Sequence, residues 1–146
     1  MAKFKFKMAS LLNLKARMEE QKEQEFSKAM KKLAEEKEKL AKHYADKHDA
    51  VQKFKGAASA KINPADFGML NNFIEFMKKQ IIIQQGVIIK AEQFVEQKRL
   101  ELIEATKERK MLEKLKERAF EEYLEEEKKQ EQKINDEIVS YKYSEI

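Results

Sequence analysis

Two histidines, His43 and His48, are the first residues to test for chemistry, because imidazole is the side chain most often used to bind metal or move protons near neutral pH. Paired helical ligands need i, i+4 spacing to share a face. These two are five apart, and the residue four after His43 is Lys47, so they read as solvated side chains. The chain has no cysteine, which excludes disulfides and thiolate metal sites and fits a reducing compartment. It also lacks a Ser/His/Asp grouping and a glycine-rich phosphate loop. No catalytic, cofactor-binding or metal-binding residues are expected, and no enzyme activity. The many carboxylates alternate with Lys and Arg at three- and four-residue spacing, which supports exposed helix faces.

The elements that carry these side chains are helices. Charged residues make up 40% of the 146, while Gly and Pro together fill only four positions, too few for many turns. In the first segment apolar residues recur at Phe26, Met30, Leu33, Leu40, Tyr44, Val51 and Phe54, with Lys37 and Lys47 in the same four-three frame. Leu11, Leu14 and Met18 follow another phase, so a slip is expected near residues 21–25. Gly56-Ala57-Ala58-Ser59-Ala60-Lys61-Ile62-Asn63-Pro64 supplies the turn. There Asn63 suits an N-cap, Pro64 the first helical position and Asp66 the first turn.

From Leu70 to Tyr123 an unbroken four-three frame runs through Ile74, Met77, Ile81, Gln84, Ile88, Ala91, Val95, Lys98, Leu102, Ala105, Arg109, Leu112, Lys116 and Ala119. The polar members Gln84, Lys98, Arg109 and Lys116 are expected to set register. The fold class is therefore all-α, a long antiparallel two-helix coiled coil. It is expected to form a single domain over residues 1–146, with helix one at about 8–55, the turn at 56–63 and helix two at about 64–140. Reflection through the turn sets Met8 opposite roughly Leu112, leaving an acidic overhang from about Glu121.

The net charge of +4 comes from 31 basic and 27 acidic residues. Residues 1–60 carry 15 basic against 9 acidic side chains, and residues 111–146 carry 7 against 11. An antiparallel hairpin brings these ends together, so nucleic acid is not an expected partner. The Lys3-Phe4-Lys5-Phe6-Lys7 start is not a signal h-region. The most apolar window, Ile81 to Ile89, is far shorter than the ~20 residues needed to cross a bilayer, so no membrane insertion is expected.

A two-stranded coil buries mainly the a and d positions of its heptads. Phe76, Ile82, Ile83 and Ile89 fall outside that stripe, and Phe73, Val87 and Phe94 flank it. Such excess apolar surface points either to a docking surface for another protein or to self-association.

One combination of segments has a family likeness. Phe4-Lys5-Phe6 leads into Leu11-Leu12-Asn13-Leu14-Lys15. Phe73-Ile74 follows, with Met77 and Ile81, and then Lys110-Met111-Leu112-Glu113-Lys114-Leu115-Lys116-Glu117-Arg118, Tyr123 and Glu131-Gln132-Lys133-Ile134-Asn135-Asp136-Glu137-Ile138. In this order they resemble the FliJ family of flagellar type III export proteins, which are similar in shape to the gamma-subunit stalk of rotary ATPases. The resemblance implies a noncatalytic coupling component, cytoplasmic and peripherally associated with the membrane-embedded export apparatus. Its implied partners are the export ATPase FliI, the regulator FliH, the export gate protein FlhA and export chaperones.

Family gate contacts match Phe73 and Met77, together with Tyr44 on helix one, where His48 replaces a further aromatic. The implied ATPase-facing residues are Arg109, Lys110, Lys114 and Arg118. Two alternatives remain open: a chaperone or adaptor using Ile82, Ile83 and Ile89, or a structural self-associating coiled coil.

Overall fold

Asn63 starts the second helix in the way its side chain allows. Its Oδ1 accepts a hydrogen bond from the Ala65 N–H at 3.2 Å, its backbone carbonyl accepts from Phe67 N–H, and Pro64 opens the first turn. In the computed structural model, which describes residues 3–59 and 63–145, two helices account for nearly all of the chain. They are α1, Ala9–Ser59, and α2, Pro64–Ser144, packed antiparallel as a helical hairpin. Gly56 lies inside α1 without a positive φ, so helix continues to Ser59, past the expected end near 55. Ala60, Lys61 and Ile62 of the expected turn lie outside the described residues. Beside the turn the Phe54 and Phe67 rings pack at 4.1 Å between centroids.

The contacts divide into two compact units, Lys22–Leu102 and Met1–Gln21 with Ile103–Ile146. In the first unit the buried apolar residues are Ile74, Met77, Ile81 and Ile88 of α2 and the small Ala29, Ala50 and Ala57 of α1. All of the expected α2 seam positions are buried or half-buried except Lys116, which is exposed.

The α1 seam differs from the expected one at every second position. The covered residues are Phe26, Ala29, Leu33, Glu36, Leu40, His43, Lys47, Ala50 and Phe54, whereas Met30, Lys37 and Tyr44 are exposed and Val51 lies at the flank. The Glu36–Gln84 pair accounts for the choice: it holds Glu36, not Lys37, in the seam, and the same four-three row then carries Ala29, His43 and Ala50 inward. The expected slip near 21–25 is also absent. Leu12, Lys15, Glu19 and Lys22 continue the three-four spacing, and Leu11, Leu14 and Met18 are exposed.

In the second unit the chain before α1 folds onto α2. Phe4 packs on Phe120 and Tyr123, with centroid distances of 5.2 and 5.5 Å. This arm half-buries Tyr123, and the uncovered part of α2 begins after Glu127, later than the expected Glu121. From Lys128 to Glu145 every described residue is exposed. Burial and Glu127 push the Tyr123 hydroxyl above its ordinary range.

Candidate partner-binding surfaces

The seam of the Lys22–Leu102 unit contains a buried polar layer, and it fixes which faces of the hairpin remain outside. The Gln84 side-chain amide donates to the Glu36 backbone carbonyl at 2.9 Å and to the Glu36 carboxylate at 2.5 Å. Lys32 and Lys39 reach the same carboxylate from outside, at 2.9 and 3.4 Å. With Gln84, Lys32 and Lys39 all donating, the Glu36 pKa falls to about 2 even though burial opposes the shift. Of these donors Gln84 alone comes from the opposite helix, so this pair specifies the register.

Further along, the Lys98 ammonium is held by Glu101 at 3.2 Å and Glu25 at 3.3 Å, which raise its pKa against burial, and Lys22 bridges the same two carboxylates. In the second unit Arg109 Nε donates to Glu19 at 2.6 Å, and its terminal nitrogen reaches Glu113 at 2.8 Å. Lys15 pairs with Glu108 at 2.9 Å. Arg109 is thus engaged by the hairpin itself. Lys110, Lys114 and Arg118 are exposed and form no ion pair among the described residues.

The residues expected to meet an export gate fall in three different places. Met77 is 4% exposed and belongs to the seam. Phe73 is 42% exposed on one flank, beside Asp46, Asp49 and Lys53 of α1 and Leu70 of α2. A shallow apolar groove continues from Phe73 along Leu70, Phe67 and Ala57 towards the turn. Tyr44 lies on the other flank, where the Gln85 side-chain amide donates to its hydroxyl at 3.0 Å and where His48 and Val51 line the surface.

The outward apolar residues divide in the same way. At about 100° per residue, Phe76 and Ile83 fall on the Phe73 flank, with Val87 and Phe94. Ile82 and Ile89 fall on the Tyr44 flank. All are at least partly exposed, Ile82 at 68% and Ile83 at 59%. The sequence frame identified these residues as outward but not that they form two separate faces. It also missed Glu36, which a count of apolar spacing cannot find.

A protein-family model described as Flagellar FliJ protein matches residues 4–145. The chain belongs to the FliJ family. No curated protein and no solved structure gives a match. Membership makes this FliJ-family chain a noncatalytic coiled-coil component of flagellar protein export. Among its described residues no group of His, Asp or Glu could hold a metal ion, and no helix is long and apolar enough to cross a membrane.

Proposed function

We propose that this FliJ-family protein couples the export ATPase ring to the export gate as a noncatalytic stalk, with FliH and export chaperones as further partners. It would work in the cytoplasm, at the periphery of the membrane-embedded apparatus. The observation that carries the gate half of this reading is Phe73, a large aromatic left half-exposed over a groove while the adjacent seam is closed without it. Met77 would act indirectly, by holding that part of α2 in place, and Tyr44 would meet a partner only from the opposite flank. For the ATPase half, Lys110, Lys114 and Arg118 are cations that the hairpin does not use, whereas Arg109 would orient them through its pairs with Glu19 and Glu113.

The direct test is ATP hydrolysis by the purified export ATPase with and without this protein; no binding and no change in rate would sink the reading. Phe73→Ala should weaken gate binding about tenfold or more, as for an aromatic interface anchor, with helicity and melting nearly unchanged. A collapse of the circular dichroism signal would make Phe73 a core residue instead. Exposure of Ile82, Ile83 and Ile89 favours a second reading, an adaptor that holds export chaperones or substrates there. Changing those three to Ser should then abolish substrate pull-down without altering ATPase stimulation.

A further inference from the structure

On the Phe73 flank of α2 a row of exposed residues, with the half-buried Gln80 among them, repeats the seam's own spacing. Phe76, Gln80, Ile83, Val87, Lys90 and Phe94 alternate steps of four and three, as a second coiled-coil stripe does, and this one has no helix on it. From Phe76 to Phe94 the stripe is about 27 Å long at 1.5 Å per residue, enough for some five turns of a partner helix.

Its surroundings are basic. On α2, Lys79 and Lys90 lie on this side between Glu75 and Glu92, whereas Lys78 falls on the Tyr44 flank and pairs with Glu75. On the α1 face bordering the stripe, Lys28, Lys32, Lys39 and Lys42 share a row of three- and four-residue steps whose member between Lys32 and Lys39 is Glu35. Four carboxylates lie in or beside that row: Glu36, buried and already held by Gln84, Lys32 and Lys39, the exposed Glu35, and Asp46 and Asp49, which stand beside Phe73 at the end of the stripe nearer the turn. Lys28, Lys42 and Lys90 form no ion pair among the described residues.

We propose that this face binds an amphipathic α-helix from another protein, apolar along one stripe and flanked by Asp and Glu. The four-three spacing selects a helix over an extended peptide, which would have no use for that period. The lysine border selects acidic flanks, since matching charges at positions beside a seam choose the partner. The same border opposes a second copy, which would set lysines against lysines. The inference goes beyond the coupling role and stands whichever protein supplies the helix.

The test uses the full chain and two labelled 20-residue helical peptides with leucine at every seam position, one flanked by Glu and the other by Lys. Fluorescence anisotropy should show the Glu peptide binding at least about tenfold tighter at low salt, with the gap narrowing as salt screens the flanks. Ile83→Ser/Val87→Ser should weaken that binding about tenfold or more, and Lys42→Glu/Lys90→Glu should remove the preference for the Glu peptide. Ile82→Ser/Ile89→Ser, on the other flank, should change affinity less than about twofold. Melting curves of the variants within a few degrees of the parent keep the comparison free of unfolding.

Equal affinity for both peptides would overturn the proposal, as would equal sensitivity on the two flanks. So would sedimentation showing a dimer that Ile83→Ser/Val87→Ser dissolves, or binding to anionic vesicles without any to the Glu peptide.

Discussion

Ile81, Ile82 and Ile83 are three identical side chains in a row, and the fold assigns them different tasks. Ile81 is 6% exposed and faces α1, whereas Ile82 and Ile83 keep more than half of their surface in water on opposite flanks. Truncating a buried isoleucine to alanine removes its transfer free energy and leaves a cavity, typically about 2 to 5 kcal/mol. In a core one layer deep the surroundings relax readily, so about 3 kcal/mol is expected for Ile81→Ala. At Ile82 only about a third of the roughly 3 kcal/mol for full burial is at stake, and the better helix propensity of alanine offsets about 0.4 of it. Ile82→Ala should therefore cost about 0.5 kcal/mol, and Ile83→Ala a little more.

With about 2 to 4 °C of Tm per kcal/mol for a chain of this size, Ile81→Ala should lower Tm by roughly 6 to 12 °C and the other two by less than about 3 °C. The assay is ellipticity at 222 nm during thermal and urea melts at several protein concentrations, with the urea slope compared among variants. If Ile82→Ala or Ile83→Ala cost as much as Ile81→Ala, those side chains are covered in solution. The reasoning that makes them docking surface would then fail.

The Glu36 carboxyl has its pKa lowered from 4.5 to about 2 in the folded protein, so its contribution is present above pH 4.5 and lost as pH falls towards 2; Glu36→Gln should flatten Tm against pH within that window. Glu25 and Glu101 are also lowered, chiefly by Lys98, so the variant's acid limb should become shallower without vanishing. Gly86 sits in mid-helix with open space where a Cβ would be, and Gly86→Ala should raise stability by about 0.5 to 1 kcal/mol in urea titration. Removing residues 128–146 should leave Tm within about 2 °C, because Lys128 to Glu145 cover nothing; a larger loss would show that this stretch packs on something in solution.

How much of this was legible beforehand differs between the two helices. The frame of α2 could be followed from Leu70 to Tyr123 because its apolar residues are dense enough to exclude other phases, and structure and spacing agree along it except at Lys116. Asn63 and Pro64 announced the start of α2 for a local reason, since the cap needs only its own side chain and the next few N–H groups.

The seam of α1 was not. Its apolar residues are sparse, and two stripes that share Phe26, Leu33, Leu40, Lys47 and Phe54 match the four-three spacing equally well, one with Met30 and Tyr44 between them and the other with Ala29 and His43. Only the opposing helix could choose between them, by supplying in Gln84 an amide that meets Glu36. The placing of Phe73 and Tyr44 on opposite flanks has the same origin. Sequence spacing determines which residues share a face of one helix, whereas pairing and register determine which faces of two helices meet and which remain open to a partner.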